Sequence, residues 1–389
     1  MGFLSGRITY ESFRIDGSSP GQFGPEHIKT LERFAIGKVE TAAIDQPDVG
    51  FLAGEHLFDL DFGLEKNVIA DALHFAVRID TNQIPAAVRR AWLQIELAAL
   101  AADNPSGRPT KAQRQEARDA VEARCEEEAR SGKFRRMQQF PVLWDARTNL
   151  LYFGGTSSAA WEQCSDLLSR AFALELERLT SGHRAQRWAR EAKRRKAMED
   201  VVPSSFHPGD SQAEIAWWNS ESGNFDYLGN EFLLWLWWRL ETQSDTITLP
   251  DGSELTAMLA RTLSLQCPRG ESGKETISAE APPRLPEAAQ AIRSGKLPRK
   301  SGMVLVRYGD QYELVLQAET FSVSGARIQA QESPGAAESR GIFEDRVENL
   351  RGLGETLDLV YGAFCERRIG KHWSGDLEQI RRWLKKGVK

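Results

Sequence analysis

One segment of the chain concentrates positive charge at spacings that suit contact with nucleic acid. Between Gly182 and Glu199, seven lysine and arginine residues face only Glu191 and Glu199. A single helix over 184–199 would place a narrow apolar stripe along one side, formed by Ala185, Trp188, Ala189 and Ala192. The basic side chains would lie beside that stripe: Arg184, Arg187, Arg190, Lys193, Arg194, Arg195 and Lys196. Cations placed against phosphates release counterions and bind DNA with little dependence on sequence, so we interpret this segment as a DNA contact.

Two shorter basic clusters come before predicted hairpins. They are Lys133, Arg135 and Arg136 beside Phe134, and Lys296, Arg299 and Lys300. Arginine and aromatic side chains together suit a surface that follows a nucleic-acid backbone and stacks on bases. For all three basic segments the alternative is an ordinary solvated, charged surface.

A pair of carboxylates suggests a second function. Asp59 and Asp61 alternate with apolar residues over 57–62, which predicts a half-buried strand with both carboxylates on one face. Paired carboxylates bind magnesium in nucleases, so a metal-dependent nuclease is one alternative. The same pattern is also typical of the polar face of an amphipathic strand.

Other enzyme chemistry has little support in the sequence. The four cysteines lie far apart and are expected to be reduced thiols. The six histidines are scattered, and we find neither metal-ligand spacing nor a nucleophile motif. We therefore expect a protein that is not an enzyme and that has no cofactor and no metal. A third possibility is a protein-interaction module that docks partners on the Trp-rich region 217–238.

Composition places the chain among ordinary globular proteins. It has 389 residues, 41% of them hydrophobic, and a net charge of −5. The first 17 residues mix charged and apolar side chains, and the apolar run at 232–238 is too short to cross a bilayer, which takes about 20 residues. We expect a cytoplasmic, nucleoid-associated protein with no membrane partner.

The elements that carry these residues alternate between strands and helices, which predicts the α+β class. Strands are expected over 8–15 and 73–79, and helices over 25–36 and 158–179. Hairpins are expected over 141–152 and 303–318, and residues 267–286 resemble an exposed linker because they are rich in Pro and Gly.

The order of several segments resembles the RdgC family, the recombination-associated DNA-binding proteins of bacteria. The segments that carry the resemblance are the strand Ile8–Ile15, the helix 25–36, Ile84–Val88 (IPAAV), Phe134–Met137 (FRRM), Val142–Asp145 (VLWD), Asn149–Phe153 (NLLYF) and Ala291–Lys296 (AIRSGK). The resemblance implies an elongated, multi-lobed protomer without enzymatic activity, which forms a ring-shaped homodimer around duplex DNA. It also implies that a recombinase is restrained and that Arg135, Arg136 and Lys296 line the channel. Single-stranded DNA is a further candidate ligand.

The resemblance covers most of residues 1–180 and, more loosely, 287–389. Residues 182–286 are longer and richer in Trp than the family pattern. We therefore expect an N-terminal α+β DNA-binding region over 1–180, a basic helix and Trp-rich insertion over 181–286, and a C-terminal hairpin with helices over 287–389.

Overall fold

The structure, a computed structural model, describes residues 2–17, 19–38, 46–102, 104–206, 215, 217, 223–269, 273–328 and 336–386. Over these residues the α+β class is confirmed. The strands are β1 (Ile8–Ile15), β2 (Asp48–Leu52), β3 (Val68–Ile69), β4 (Ala72–Thr81), β5 (Arg136–Asp145), β6 (Leu150–Phe153), β7 (Leu176–Arg178), β8 (Thr246–Thr248), β9 (Glu254–Gln266), β10 (Lys274–Ala279), β11 (Leu297–Arg307), β12 (Asp310–Gln317) and β13 (Val323–Ile328). The helices are α1 (Pro25–Arg33), α2 (Leu64–Asn67), α3 (Ala86–Ala102), α4 (Lys111–Ser131), α5 (Ser158–Phe172), α6 (Ser181–Glu191), α7 (Arg195–Glu199), α8 (Leu228–Thr242), α9 (Pro286–Arg293), α10 (Ala336–Arg368) and α11 (Trp373–Lys386).

All thirteen described strands belong to one antiparallel sheet. Its main path runs β10-β9-β11-β12-β13-β1-β6-β5-β4-β2, with β3, β7 and β8 paired at its sides. The N-terminal strands and the C-terminal strands form the two halves, and β1 joins them. Strands from the predicted segments 181–286 and 287–389 share one half, because β9 pairs with β11 along most of its length.

Strand β1 changes its neighbours along its length. Ile8 and Tyr10 pair with β13, whereas Glu11 to Arg14 pair with β6. Phe13 to Ile15 pair in addition with β7. This strand lies along the same edge of β1 as β13, but farther along the strand. The two half-sheets therefore part beside the middle of β1.

The Trp-rich helix α8 is a core element. Its sequence is apolar on every side, as expected for a helix surrounded by protein. Trp235, Trp237 and Trp238 are each at most 3% exposed and pack with residues of β9, β11 and α10. They therefore do not form the exposed docking surface that the interaction-module alternative requires. Trp218 lies outside the described residues.

The expected linker over 267–286 is wrong in part. Residues 274–279 form β10, which pairs with β9, and a short 3₁₀ turn at Pro282–Arg284 leads into α9. Cross-strand pairing with β9 decides the conformation, and local composition does not show such a partner. No described helix is long and apolar enough to cross a membrane.

Helices α3 and α4 form a hairpin between β4 and β5. Thr110 caps α4 by accepting a hydrogen bond from the Gln113 N–H, and Gly132, at a φ of 73°, ends the helix. None of the 17 residues of α3 is buried, although most are apolar. Ile95 on this helix is 60% exposed.

Candidate nucleic-acid interface

The main basic segment is not the single helix that its sequence predicts. Helix α6 is capped by Thr180 and ends at Glu191, and α7 starts only at Arg195. Lys193 between them has a φ of 55°, and the Arg194 N–H turns back to the Ala189 carbonyl at 2.7 Å. A left-handed residue of this kind stops a helix, and the prediction of one helix over 184–199 is therefore wrong.

The first two arginines of α6, the buried Arg184 and the half-buried Arg187, are paired with a carboxylate of the fold. Arg184 is 8% exposed, forms an ion pair with Asp358 of α10 and donates a hydrogen bond of 2.7 Å to the Ser12 hydroxyl. Arg187 donates to the same Asp358 carboxylate at 2.7 Å. Burial alone would raise the pKa of Asp358, but the two guanidinium groups hold it below its ordinary value. Since their charges are satisfied within the fold, we do not retain Arg184 and Arg187 as DNA contacts.

Four of the five remaining cations of this segment are exposed to solvent. We call the exposed residues Arg190, Lys193, Arg195 and Lys196 the basic corner. Within the described part of the chain, none of their side chains has a carboxylate within 4.0 Å. The nearby Glu191 faces Arg187 instead, at 3.7 Å. The basic corner therefore keeps its charge available for a partner.

Arg194 fastens the basic corner to the end of α10. Its guanidinium lies 5.6 Å from the centre of the Trp188 ring, and one nitrogen donates to the Glu366 carbonyl at 3.4 Å. The exposed Lys371 follows shortly after Glu366 along the chain. The fold thus brings the end of α10 beside the basic corner.

The cluster before β5 is mostly paired. Lys133 lies 3.2 Å from Glu128, and Arg135 binds Asp80 at 2.6 Å. Arg136 is exposed and has no carboxylate within 4.0 Å among the described residues. It lines a groove at the foot of the α3–α4 hairpin. Of the three residues predicted here, Arg136 is the one that presents a free cation.

The third basic cluster, Lys296, Arg299 and Lys300, is not freely exposed, and two of its residues form ion pairs within the fold. Lys296 is 7% exposed, and its ammonium lies 2.8 Å from Glu275 of β10. Arg299 forms an ion pair with Glu319 and lies over the Trp217 ring at 4.2 Å. Lys300 is half-buried. The channel role that the resemblance implies for Lys296 does not fit a side chain held inside the protein.

Helix α4 carries a basic row that the sequence interpretation missed. Lys111, Arg114 and Arg118 are exposed, lie on one face at helical spacing, and have no carboxylate within 4.0 Å in the described ranges. We call them the tip row, because they follow the loop that joins α3 to α4. The mixed signs of charge over 111–130 hid them, although their spacing of three and four residues was visible.

The carboxylates proposed for a nuclease do not lie on a strand. Residues 57–62 form a loop, because Asp59 accepts the N–H groups of Glu55 at 3.0 Å and Asp61 at 3.2 Å. Asp59 is 4% exposed and also binds the Lys66 ammonium at 2.8 Å, whereas Asp61 is exposed. Burial alone would raise the pKa of Asp59, but Lys66 and the backbone N–H groups hold it below its ordinary value. The predicted strand with both carboxylates on one face is therefore wrong.

No group of three or more His, Cys, Asp or Glu side chains within the described ranges is arranged to hold a metal ion. Comparison with known proteins finds no family model that matches the chain and no curated protein that matches it.

Proposed function

We propose that this chain is a sequence-independent DNA-binding protein that contacts the phosphate backbone through its basic corner. The observation that carries the proposal is the contrast within one basic segment. Arg184 and Arg187 are paired with Asp358, whereas the basic corner, at the end of α6 and the start of α7, is exposed to solvent. Unpaired cations gain most from contact with phosphates, because they release counterions without first breaking an ion pair.

The tip row and Arg136 supply further cations, which lie far along the chain from the basic corner. A backbone contact needs several such groups, since each neutralised phosphate contributes a modest and salt-sensitive share of the affinity. Lysine and arginine side chains that reach only phosphates do not contact the base edges. We therefore expect the protein to bind unrelated DNA sequences with similar affinity.

We also propose that the protein acts as a homodimer that forms a ring around duplex DNA and modulates recombination, as the resemblance to the RdgC family implies. Helix α3 supports the dimer. One exposed strip of this helix is apolar and is formed by Ala87, Ala91, Ile95, Ala98 and Ala102. Small side chains allow two helices to approach closely, and two copies of one apolar face complement each other.

Fluorescence anisotropy of labelled duplexes with unrelated sequences tests the DNA contact. At about 50 mM salt we expect binding that weakens steeply as salt rises. The variant Arg190→Glu/Lys193→Glu/Lys196→Glu should lose at least about tenfold in affinity, with a smaller dependence on salt. Reversal of the tip row, measured separately, should weaken binding as well.

The matched control reverses three exposed cations of α1 and the residues after it, in Lys29→Glu/Arg33→Glu/Lys38→Glu. It changes the net charge equally, so an equal loss in this control would show that overall charge and not the basic corner carries binding. Absence of any duplex binding by the wild-type chain at low salt would overturn the proposal.

Ring closure has its own measurement. A closed ring slides off the ends of a linear duplex but stays on a circular one when salt is raised. We expect high-salt retention on circular DNA and on linear DNA with blocked ends, and loss from linear DNA with free ends. Equal loss from all three would contradict a ring while leaving the DNA contact intact.

A further inference from the structure

A cavity opens where the two half-sheets part beside β1. Its volume is about 630 Å³, within the range of pockets that hold drug-sized molecules. Tyr10 of β1 and Tyr152 of β6 line it on the sheet side, and Trp188 of α6 and Phe321, which precedes β13, line it on other sides. Helix α10 covers it. None of the four residues of the basic corner lines the cavity.

Two glycines of α10 leave room for this cavity. A Cβ atom at Gly354 would lie 3.6 Å from the Tyr152 hydroxyl, and one at Gly362 would lie 3.4 Å from the Trp188 ring. Neither glycine has a positive φ, so the backbone does not require glycine there. Glycine weakens a helix interior relative to alanine, and here its benefit is the space it leaves.

The charged groups on the cavity wall already have partners. Arg184 and Arg187 share Asp358, and Arg351 binds Asp145 at 2.6 Å. The wall carboxylates Glu191 and Glu355 face Arg187 at 3.7 Å and Arg307 at 3.3 Å. The wall therefore holds three arginines and three carboxylates with no charge left over for a ligand. A charged molecule would have to displace one of these pairs, which favours an uncharged one.

One polar group on the floor lacks a partner. Tyr10 is 3% exposed, and its hydroxyl makes no hydrogen bond to any described residue. The ring of Tyr152 lies edge-on at 5.3 Å. Burial raises the pKa of Tyr10 above its ordinary range, so the hydroxyl keeps its proton and can donate. Buried hydroxyl groups are nearly always hydrogen-bonded, and Tyr10 belongs to the cavity wall, so a molecule bound there would supply the missing partner.

We propose that this cavity binds an uncharged, planar aromatic molecule whose carbonyl or similar acceptor receives the hydrogen bond of Tyr10. The aromatic rings of Trp188, Phe321 and Tyr152 suit a flat apolar body. The paired charges disfavour a formal charge, and the Tyr10 hydroxyl sets the position of one acceptor. The inference does not depend on DNA binding.

Flavone, which is uncharged and flat and carries one ring carbonyl, is a suitable probe. Saturation-transfer NMR and titration calorimetry with the full chain should detect one saturable site, with 2-naphthoate binding far more weakly. Tyr10→Phe should weaken flavone binding about fivefold to tenfold because it removes one hydrogen bond. The unfolding temperature of this variant should stay equal or rise, because a buried hydroxyl without a partner is removed.

A second variant tests the cavity itself. Gly354→Leu fills it from the side of α10 and should abolish flavone binding in a folded protein. Flavone binding that is absent from the wild type, or equal in all three proteins, would overturn the proposal. So would a Tyr10→Phe variant that binds normally but unfolds at a clearly lower temperature, since its hydroxyl would then have a structural partner.

Discussion

Arg187 donates a hydrogen bond of 2.7 Å to Asp358, and this carboxylate at the same time forms an ion pair with the more deeply buried Arg184. One acidic side chain of α10 thus holds two cations of α6. The basic segment is thereby divided into a part that fastens α6 to α10 and a part, the basic corner, that is left to solvent.

Removal of the Asp358 charge should destabilise the fold strongly. In Asp358→Asn the guanidinium of Arg184 stays buried without a counter-charge, and we expect a loss of about 3 kcal/mol in the free energy of unfolding. Asp166→Asn is the control, since it breaks an exposed ion pair of α5 with Arg170 and should cost less than about 0.5 kcal/mol. Chemical denaturation of both variants measures the difference. Equal, small effects would show that the Asp358 cluster contributes little.

His74 should make stability depend on pH. It is 3% exposed, and burial lowers the pKa of its imidazole to about 4, with smaller effects from Asp59 and Lys66. The unfolded chain, with an ordinary histidine pKa near 6.5, then binds more protons between pH 4 and pH 6.5. The stability that depends on a neutral His74 is therefore fully present above about pH 6.5. As the pH drops towards 4, the free energy of unfolding falls by about 3 kcal/mol.

Denaturation of His74→Gln at several pH values checks this expectation. The variant should lack the fall between pH 6.5 and pH 4, whatever its stability at neutral pH. His372→Gln, which changes an exposed histidine, should keep the wild-type profile. A wild-type stability that is flat over this range would contradict a buried, neutral His74.

Local sequence patterns alone predict much of the fold. The strand over 8–15 was predicted with its bounds and the hairpin over 303–318 closely, because alternation and turn residues act over a few positions. The helix expected over 158–179 begins at Ser158 as predicted, but its end is wrong. Ala173, at a φ of 54°, stops the helix after Phe172, and residues 176–178 form β7. The failure at 57–62 has a local cause as well. The alternation there comes from a loop that the Asp59 side chain organises, and alternation alone does not distinguish the two.

The candidate site was less predictable, because pairing decides which charges are free. Arg184 and Arg190 look alike in sequence, yet Arg184 meets a carboxylate 174 positions away and Arg190 meets none in the described residues. The break at Lys193 carries no proline or glycine that would signal it. Lys296 likewise depends on Glu275 of a strand that composition suggested was a linker.

Truncation of a buried tryptophan should confirm that the Trp-rich helix is core. Trp237 is 1% exposed, and its indole N–H donates to Glu241 at 2.7 Å. Trp237→Ala leaves a large cavity, and we expect a loss of about 3 to 5 kcal/mol. Tyr308→Ala, at the exposed turn between β11 and β12, should stay within about 0.5 kcal/mol of the wild type. A Trp237 variant as stable as the wild type would restore the docking-surface alternative.

Two single substitutions compare what an exposed lysine and a buried lysine contribute to DNA affinity and to stability. Lys193→Met removes an exposed charge of the basic corner, so duplex affinity at low salt should fall severalfold while the unfolding free energy changes by less than about 0.5 kcal/mol. Lys296→Met removes a buried ammonium that is paired with Glu275. Its unfolding free energy should change while its duplex affinity stays at the wild-type value, because this charge does not reach a phosphate. Anisotropy and denaturation measured on the same preparations give both quantities. The reverse pattern, with affinity lost at Lys296 and kept at Lys193, would return the DNA contact to the residues that the family resemblance implies.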